Sequence, residues 1–328
     1  MYKVSIIGCG SIGAMKPDHI DFPGSENILT HANAVTRHPK TELVAFIDSD
    51  FEKVKKAGEK WGIPSYRLYS NLSDMYVDQN PDIVICAVPT EQHANIFGQL
   101  HKRCRIIIAE KPFCTYYVTA KRITDQYELD NIPIMVDYIR RFAKEYQKFK
   151  KLVDSGTFGS AINCRVLYTR GISHEACHAI DLMHYFFGKC LRVDKLSRLE
   201  IIDRTSSDPT IPVSFAFEKC TSVIFQPCDG REYGIFEIDI CFQKGRFRFI
   251  DNGLFLEYYP INEENEWGHK SLSYKLTDVI RQETWLNLAL YNVIDNAVNF
   301  LDGTANLICT AKDALEVHKV LERINWRK

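Results

Sequence analysis

Val4-Ser5-Ile6-Ile7-Gly8-Cys9-Gly10-Ser11-Ile12-Gly13 is the stretch that decides how this chain is read. A short β-branched run reads as a buried strand, and it ends directly in the pattern G-x-G-x-x-G. Each glycine has its own task in such a turn. Gly8 allows the tight bend, Gly10 lets the backbone approach a pyrophosphate, and Gly13 lets helix and strand pack closely. The amides exposed from Cys9, Ser11 and Ile12 onward, at the start of the following helix, then bind phosphate. Alone the pattern is weak, but here a second strand, Glu42-Leu43-Val44-Ala45-Phe46-Ile47, runs into Asp48. A carboxylate there accepts bonds from ribose hydroxyls and repels a 2′-phosphate, which favours NAD over NADP.

The spacing departs from the usual. From Gly13 to Asp48 there are 35 positions, where about 20 are typical. The excess lies in Ala14–Thr30, whose Pro17, Pro23 and Gly24 break any helical periodicity. We read it as a loop inserted directly after the phosphate turn, with the helix resuming near His31-Ala32-Asn33-Ala34-Val35. Such a loop lies over the cofactor or the substrate entrance, or its Asp18, His19 and Asp21 are simply solvated.

Outward from this point, helical patterns at 51–61, 93–103 and 115–129 alternate with apolar runs at 82–88, 105–109 and 132–136. Continuous apolar strands between helices indicate a parallel sheet covered on both faces. Beyond residue 137 the pattern changes. A helix at 142–154, a strand at 161–169 and a helix at 174–187 precede strand-like runs between 195 and 250, separated by polar turns. Helices near 286–301 and 311–324 close the chain. The expectation is an α/β Rossmann domain over 1–136, followed over 137–328 by an α+β domain with an open, mostly antiparallel sheet.

Bulk composition narrows the function. At 328 residues, 45% hydrophobic and 25% charged, the chain suits two globular domains. A formal net charge of −1 gives no field for nucleic acid or an anionic membrane, so neither partner is expected. No apolar run approaches the roughly 20 residues of a membrane span, and no signal peptide precedes the first strand. The eleven cysteines are odd in number and never spaced C-x-x-C. They read as buried thiols in a reducing cytosol.

Several further segments complete a pattern: Ala87-Val88-Pro89-Thr90 with His93, Glu110-Lys111-Pro112, and Tyr138-Ile139-Arg140-Arg141-Phe142. Gly159, His178-Ala179-Ile180-Asp181, Phe300-Leu301-Asp302-Gly303 and Ala311-Lys312-Asp313-Ala314 follow. With Gly8–Gly13 and Asp48, they resemble the Gfo/Idh/MocA family of NAD(P)-dependent oxidoreductases along nearly the whole chain. The resemblance implies cofactor contacts at Ala87, Val88, Pro89, Thr90, His93, Glu110 and Lys111, and an active site between the domains. It also implies a homo-dimer or homo-tetramer built through the open sheet, and a sugar, sugar derivative or cyclitol as substrate.

Lys111 follows an apolar strand, at the carboxyl edge where doubly wound folds bind ligands. In the family this lysine holds the reacting hydroxyl, and its bond to the next proline is often cis. His178 matches the catalytic histidine, which accepts the alcohol proton as hydride leaves carbon. Asp181, one turn on, orients that imidazole or supports the fold. Many relatives carry an aspartate four residues before the histidine; this chain has His174, kept as a substrate contact. Tyr138, Arg141, Tyr168 and His174 complete the candidate substrate set. Arg140, Arg141 and Arg170 either touch an anionic or polyhydroxylated substrate or form interface ion pairs. His174-Glu175-Ala176-Cys177-His178 also spells the zinc-protease pattern H-E-x-x-H. The whole-chain resemblance already assigns both histidines, so no metal is expected. Two other readings stay open: an NAD(P)-binding regulator without turnover, and a reductase of an imine or unsaturated ring.

Overall fold

The computed structural model describes residues 1–202, 207–264 and 266–325. Its first unit comprises Met1–Phe142 with Asn287–Leu315, and its second comprises Ala143–Leu286 with the chain from Glu316 onward.

In the first unit the strands are β1 (Tyr2–Ile7), β2 (Thr41–Ile47), β3 (Leu68–Tyr69), β4 (Ile83–Cys86), β5 (Ile106–Glu110) and β6 (Ile134–Asp137). They form one parallel sheet in the order β3-β2-β1-β4-β5-β6. Val4, Ile6, Ile83, Ile85, Ile107 and Ile108 are buried without alternation, because helices cover both faces. The helices are α1 (His31–Arg37), α2 (Phe51–Trp61), α3 (Leu72–Asp78), α4 (Thr90–Leu100) and α5 (Tyr117–Leu129). Helix α2 starts at Asp50, whose carboxylate accepts the Glu52 and Lys53 amides, and stops at Gly62 in the left-handed region. The strand order reverses direction between β1 and β4. Ligands bind outside the carboxyl ends of the strands at such a point.

The second unit begins with α6 (Lys144–Asp154), β7 (Ala161–Tyr168), α7 (Ala176–Phe187) and β8 (Cys190–Lys195). A two-stranded ladder of β9 (Ile201–Ile202) and β10 (Pro209–Thr210) follows, then β11 (Val213–Phe217), β12 (Cys220–Pro227) and β13 (Phe236–Phe242). β14 (Gly245–Ile250), β15 (Phe255–Tyr259) and β16 (Ile280–Glu283) complete it. The large sheet runs β16-β15-β14-β13-β7-β12-β11-β8, and its one parallel pair is β7 with β12. Alternate residues of β13 and β14 are buried, the alternation of a one-sided sheet. Phe149 of α6 meets Phe186, Phe247 and Phe249 at ring distances of 4.9, 5.0 and 5.3 Å. These four rings are buried in the core of the unit.

One expectation changes. A single boundary at 136/137 misses the return of the chain to the first unit through α8 (Ala289–Leu301), which packs on α1. Tyr291 lies 5.3 Å from the His38 ring, and Asn292 Nδ2 donates to the Phe142 carbonyl at 2.8 Å. The apolar stripe of α8 is plain in the sequence, but a stripe does not name the surface it packs against. The division between units falls inside α9 (Ala311–Asn325). All eleven cysteines are free, and burial pushes the Cys86 thiol up to about 12.

Candidate active site

The glycine turn follows β1 directly. Gly8 has φ +98°, and a Cβ there would stand 2.4 Å from the Ala87 carbonyl oxygen. A Cβ on Gly13 would stand 2.0 Å from the Gly8 carbonyl oxygen. Both are required by the protein's own packing. Gly10 differs: a Cβ there would meet nothing within 4 Å. Open space before this residue is what a pyrophosphate needs, so the turn fits the group its sequence implies.

The inserted loop has a definite construction. Ala14 and Met15 donate their amides to the Gly10 carbonyl, making one helical turn, and the chain then leaves. It returns so that His31 N donates to Ile12 O at 3.0 Å and Ala32 N to Gly13 O at 2.9 Å. In an unbroken helix those bonds belong to residues 16 and 17. His31 thus stands where residue 16 would, and Lys16–Thr30 is an excursion of 15 residues out of a spatially continuous helix. Removing those 15 from the 35 between Gly13 and Asp48 leaves 20, the ordinary spacing.

The excursion is tied from inside. Asp21 is fully buried and accepts from Leu29 N, Thr30 Oγ1 and Asn33 Nδ2 at 3.0, 2.7 and 2.7 Å. Thr30 in turn caps α1 through the Asn33 amide. Solvation, one of the two readings of Asp21, is therefore overturned. Asp18 remains exposed and pairs with Lys60 at 2.9 Å; His19 is exposed.

Asp48 directly follows β2 beside the turn, its Oδ2 taking the Cys9 amide at 2.9 Å and Oδ1 the Asp50 amide at 3.0 Å. Cys9 therefore serves the site through Asp48: its amide is engaged by the carboxylate and its thiol is buried. Ser11 stays exposed and Ile12 half-buried. Ala87, Val88 and Pro89 lie after β4, across the switch point, and α4 starts at Thr90 with no side chain capping its first amides. His93 is corrected from a cofactor contact to a brace. Its ring is fully buried, with Nδ1 3.0 Å from Phe113 O and Nε2 3.0 Å from Val88 O, so it ties the loop after β4 to the loop after β5.

Glu110 ends β5, and Lys111 follows with a cis bond to Pro112. Glu110 pairs in register with Asp137 at the end of β6. His31, fully buried, places Nε2 2.8 Å from Glu110 Oε1 and 3.8 Å from Asp137 Oδ2. Tyr138, Arg140 and Arg141 follow at once, all buried. Arg141, expected either as a substrate contact or as an ion-pair partner, lies 3.0 Å from Asp313. Burial would raise the Asp313 carboxyl, but Arg141 and Thr310 hold it below the usual carboxylate range.

In the second unit, α7 carries His178 in its first turn and Asp181 one turn on, both buried and on one helix face by spacing. His174 and Glu175 precede the helix, and His174 is exposed. The zinc-protease pattern needs its histidines one turn apart on a helix, a condition this segment does not meet. The segment is held instead by Asp208, whose Oδ2 accepts the Ser173 and His174 amides at 2.8 and 2.7 Å. A Cβ on Gly171, at φ +88°, would stand 2.1 Å from that oxygen. Tyr168 is also corrected. It is fully buried, donating to the Ile211 carbonyl at 2.7 Å and accepting the Ile211 amide at 2.9 Å, so it is a pillar and not a substrate contact.

Three residues at these edges were not singled out by sequence: His31, Asp137 and Asp208. Asp137 had a signal, since like Asp48 it is an acid closing an apolar strand. His31 opens the resumed helix, and Asp208 has no local signal at all.

Residues 2–138 match the family model described as oxidoreductase family, NAD-binding Rossmann fold. Over that stretch the chain is similar to the Gfo/Idh/MocA oxidoreductases. Inositol 2-dehydrogenase of Rhodococcus jostii is 28% identical over 223 residues, covering 64% of this chain and 55% of that protein. The chain thus spans about half the length of the curated relatives it matches. The WlbA dehydrogenase of Bordetella pertussis, solved with NADH and UDP-GlcNAcA, has a TM-score of 0.72 at 20% identity, over 98% of this chain and 94% of that one. Gal80p of Saccharomyces cerevisiae, solved as a super-repressor mutant, has a TM-score of 0.75 at 13% identity over 99% and 95%. At these identities the likeness is one of fold. Among the described residues no helix is long and apolar enough to cross a membrane.

Proposed function

We propose that this chain transfers a hydride between NAD and a hydroxyl or carbonyl carbon of a sugar, sugar derivative or cyclitol. The observation that carries the reading is the open space before Gly10, beside Asp48 and on the carboxyl edge that also presents Lys111. The inositol 2-dehydrogenase similarity supports the cyclitol among the substrates.

The amides after Gly10 hold the pyrophosphate and Asp48 takes the adenosine ribose hydroxyls. Bound NAD supplies the hydride acceptor. Lys111 places its ammonium on the reacting oxygen and stabilises the alkoxide that develops as hydride leaves carbon. The His178 imidazole takes the hydroxyl proton, and gives it back in the reverse direction. Asp181 orients His178, and His174 contacts substrate from the segment that Asp208 holds. Residues 137–286 supply the substrate side, and the open sheet joins the copies of a homo-dimer or homo-tetramer. We place the protein in the cytosol, consistent with eleven free thiols.

A panel of sugars and cyclitols offered with NAD and with NADP, read by reduced-nicotinamide absorbance, tests the reading. Turnover of at least one member with NAD supports it. The fold likeness to Gal80p favours a second reading, a regulator that binds NAD without turnover. Tight NAD binding with no turnover across the panel, and none with imines or unsaturated rings, selects the regulator.

A further inference from the structure

Glu110 and Asp137 end neighbouring parallel strands in register. Their side chains therefore leave the same face of the sheet, from backbones about 4.8 Å apart. Asp137 is 2% exposed. Two carboxylates this close and this dry cannot both stay charged without a positive partner or a shared proton. The fold supplies both. His31 reaches in from α1, its Nε2 within hydrogen-bond distance of Glu110 and 3.8 Å from Asp137. Lys111 follows Glu110 in the chain, and its charge acts on Asp137.

We propose that His31, Glu110 and Asp137 form a buried proton-sharing triad that holds one negative charge against Lys111 and so fixes that ammonium at the sheet edge. This deepens the role given to Lys111 above and rests on it. The charge count is the core of the argument. Two carboxylates and an imidazole sharing one added proton sum to −1, whether the proton sits on His31 or on Asp137. Lys111 brings the group to zero, the state a largely buried site favours. The three members are positioning residues; none is assigned contact with substrate.

The titration of the group agrees. Burial and the Glu110 charge push Asp137 up, against His31 and Lys111, which pull it down. Burial would lower His31, but its bond to Glu110 and the charges of Glu110 and Asp137 raise it. Both shifts describe one added proton retained near neutral pH. The Cys86 thiol on β4 also feels the Glu110 charge, and burial keeps it protonated. The His31 position also depends on the excursion after the phosphate turn, since Asp21 and Thr30 fix the start of α1. The same loop that departs from the ordinary spacing thus delivers the imidazole.

The test needs no substrate. Histidine ring-nitrogen spectra of the labelled full chain are followed with pH, the His31 signal being the one lost in His31→Gln. The triad predicts that this signal changes only well above about pH 6.5, the midpoint of a free imidazole. Asp137→Asn, which keeps the shape and removes the shared site, should move the midpoint by at least about one unit. Competitive acetylation of Lys111 with acetic anhydride, read by mass spectrometry, should show at least about a threefold gain in reactivity at neutral pH in Asp137→Asn, because the ammonium loses its partner. Glu110→Gln, which like Asp137→Asn removes one carboxylate from the count, should show the same gain, which keeps the test valid where Asp137→Asn fails to fold. A wild-type midpoint near 6.5, or Lys111 reactivity equal to wild type in the folded variant, overturns the triad. So does a stoichiometric divalent metal in the purified protein that Asp137→Asn loses. Inactivity on every sugar tried, with the titration as stated, would instead overturn the proposed reaction and leave the triad standing.

Discussion

Gly8 in the first unit and Gly171 in the second are constrained by the same device and with opposite materials. Both have positive φ, +98° and +88°, and both are pressed where a side chain would stand. Against Gly8 the neighbour is backbone, the Ala87 carbonyl at 2.4 Å. Against Gly171 it is a side chain, the Asp208 carboxylate, reaching from 37 residues away in sequence. A backbone neighbour is fixed by the sheet and tolerates nothing. A carboxylate can swing aside at the cost of two hydrogen bonds from backbone amides. The nucleotide edge is therefore rigid, and the His174 edge is adjustable.

The largest effects are expected at the groups that the proposed reaction places on the reacting atoms. Lys111→Ala and His178→Ala should each cut turnover at least about a hundredfold with NAD affinity nearly unchanged, measured by initial rates and calorimetry. Unchanged turnover in either removes that residue from the mechanism. Next come the glycines themselves. Gly8→Ala meets left-handed strain of about 1–2 kcal/mol and an immovable carbonyl. It should lower the melting temperature and weaken NAD at least about tenfold. Gly171→Ala should displace Asp208, leave NAD affinity alone and reduce turnover to the level of Asp208→Asn. If Gly171→Ala weakens NAD as Gly8→Ala does, the contrast between the edges fails.

That contrast also explains what the sequence revealed. Gly8, Gly10, Gly13 and Asp48 are legible because their constraint is local: a strand, a turn, and a strand ending in an acid. Lys111 is legible for the same reason, standing after an apolar strand and before Pro112. His178 and His174 were reached only through resemblance, since nothing near them in the chain dictates an imidazole. Asp208 could not be found, because its amide partners Ser173 and His174 lie 35 and 34 residues earlier. The partners of Tyr168 and Arg141 were hidden for a related reason. Polar side chains near a junction look available until Ile211 and Asp313 are seen to occupy them. The return of α8 to the first unit was hidden likewise, its stripe being visible and its partner α1 not.

Smaller effects sharpen the nucleotide edge. Asp48→Ala should narrow the ratio of NAD to NADP affinity by roughly ten- to a hundredfold, the worth of hydrogen bonds to a charged group. An unchanged ratio would mean that Asp48 serves only the Cys9 and Asp50 amides. The smallest effect is expected from excising Lys16–Thr30 and joining Met15 to His31. Because His31 N already bonds to Ile12 O, the helix should close and NAD affinity should stay within about threefold. An unfolded product would make the excursion part of the fold and not an addition to it.

The most direct test of the central claim is a crystal structure grown with NAD. The account predicts the pyrophosphate against Gly10, the adenosine ribose hydroxyls on Asp48, and the nicotinamide on the carboxyl edge that carries Lys111. A dinucleotide bound elsewhere, or a turn from Gly8 to Gly13 left without phosphate at saturating NAD, would contradict it.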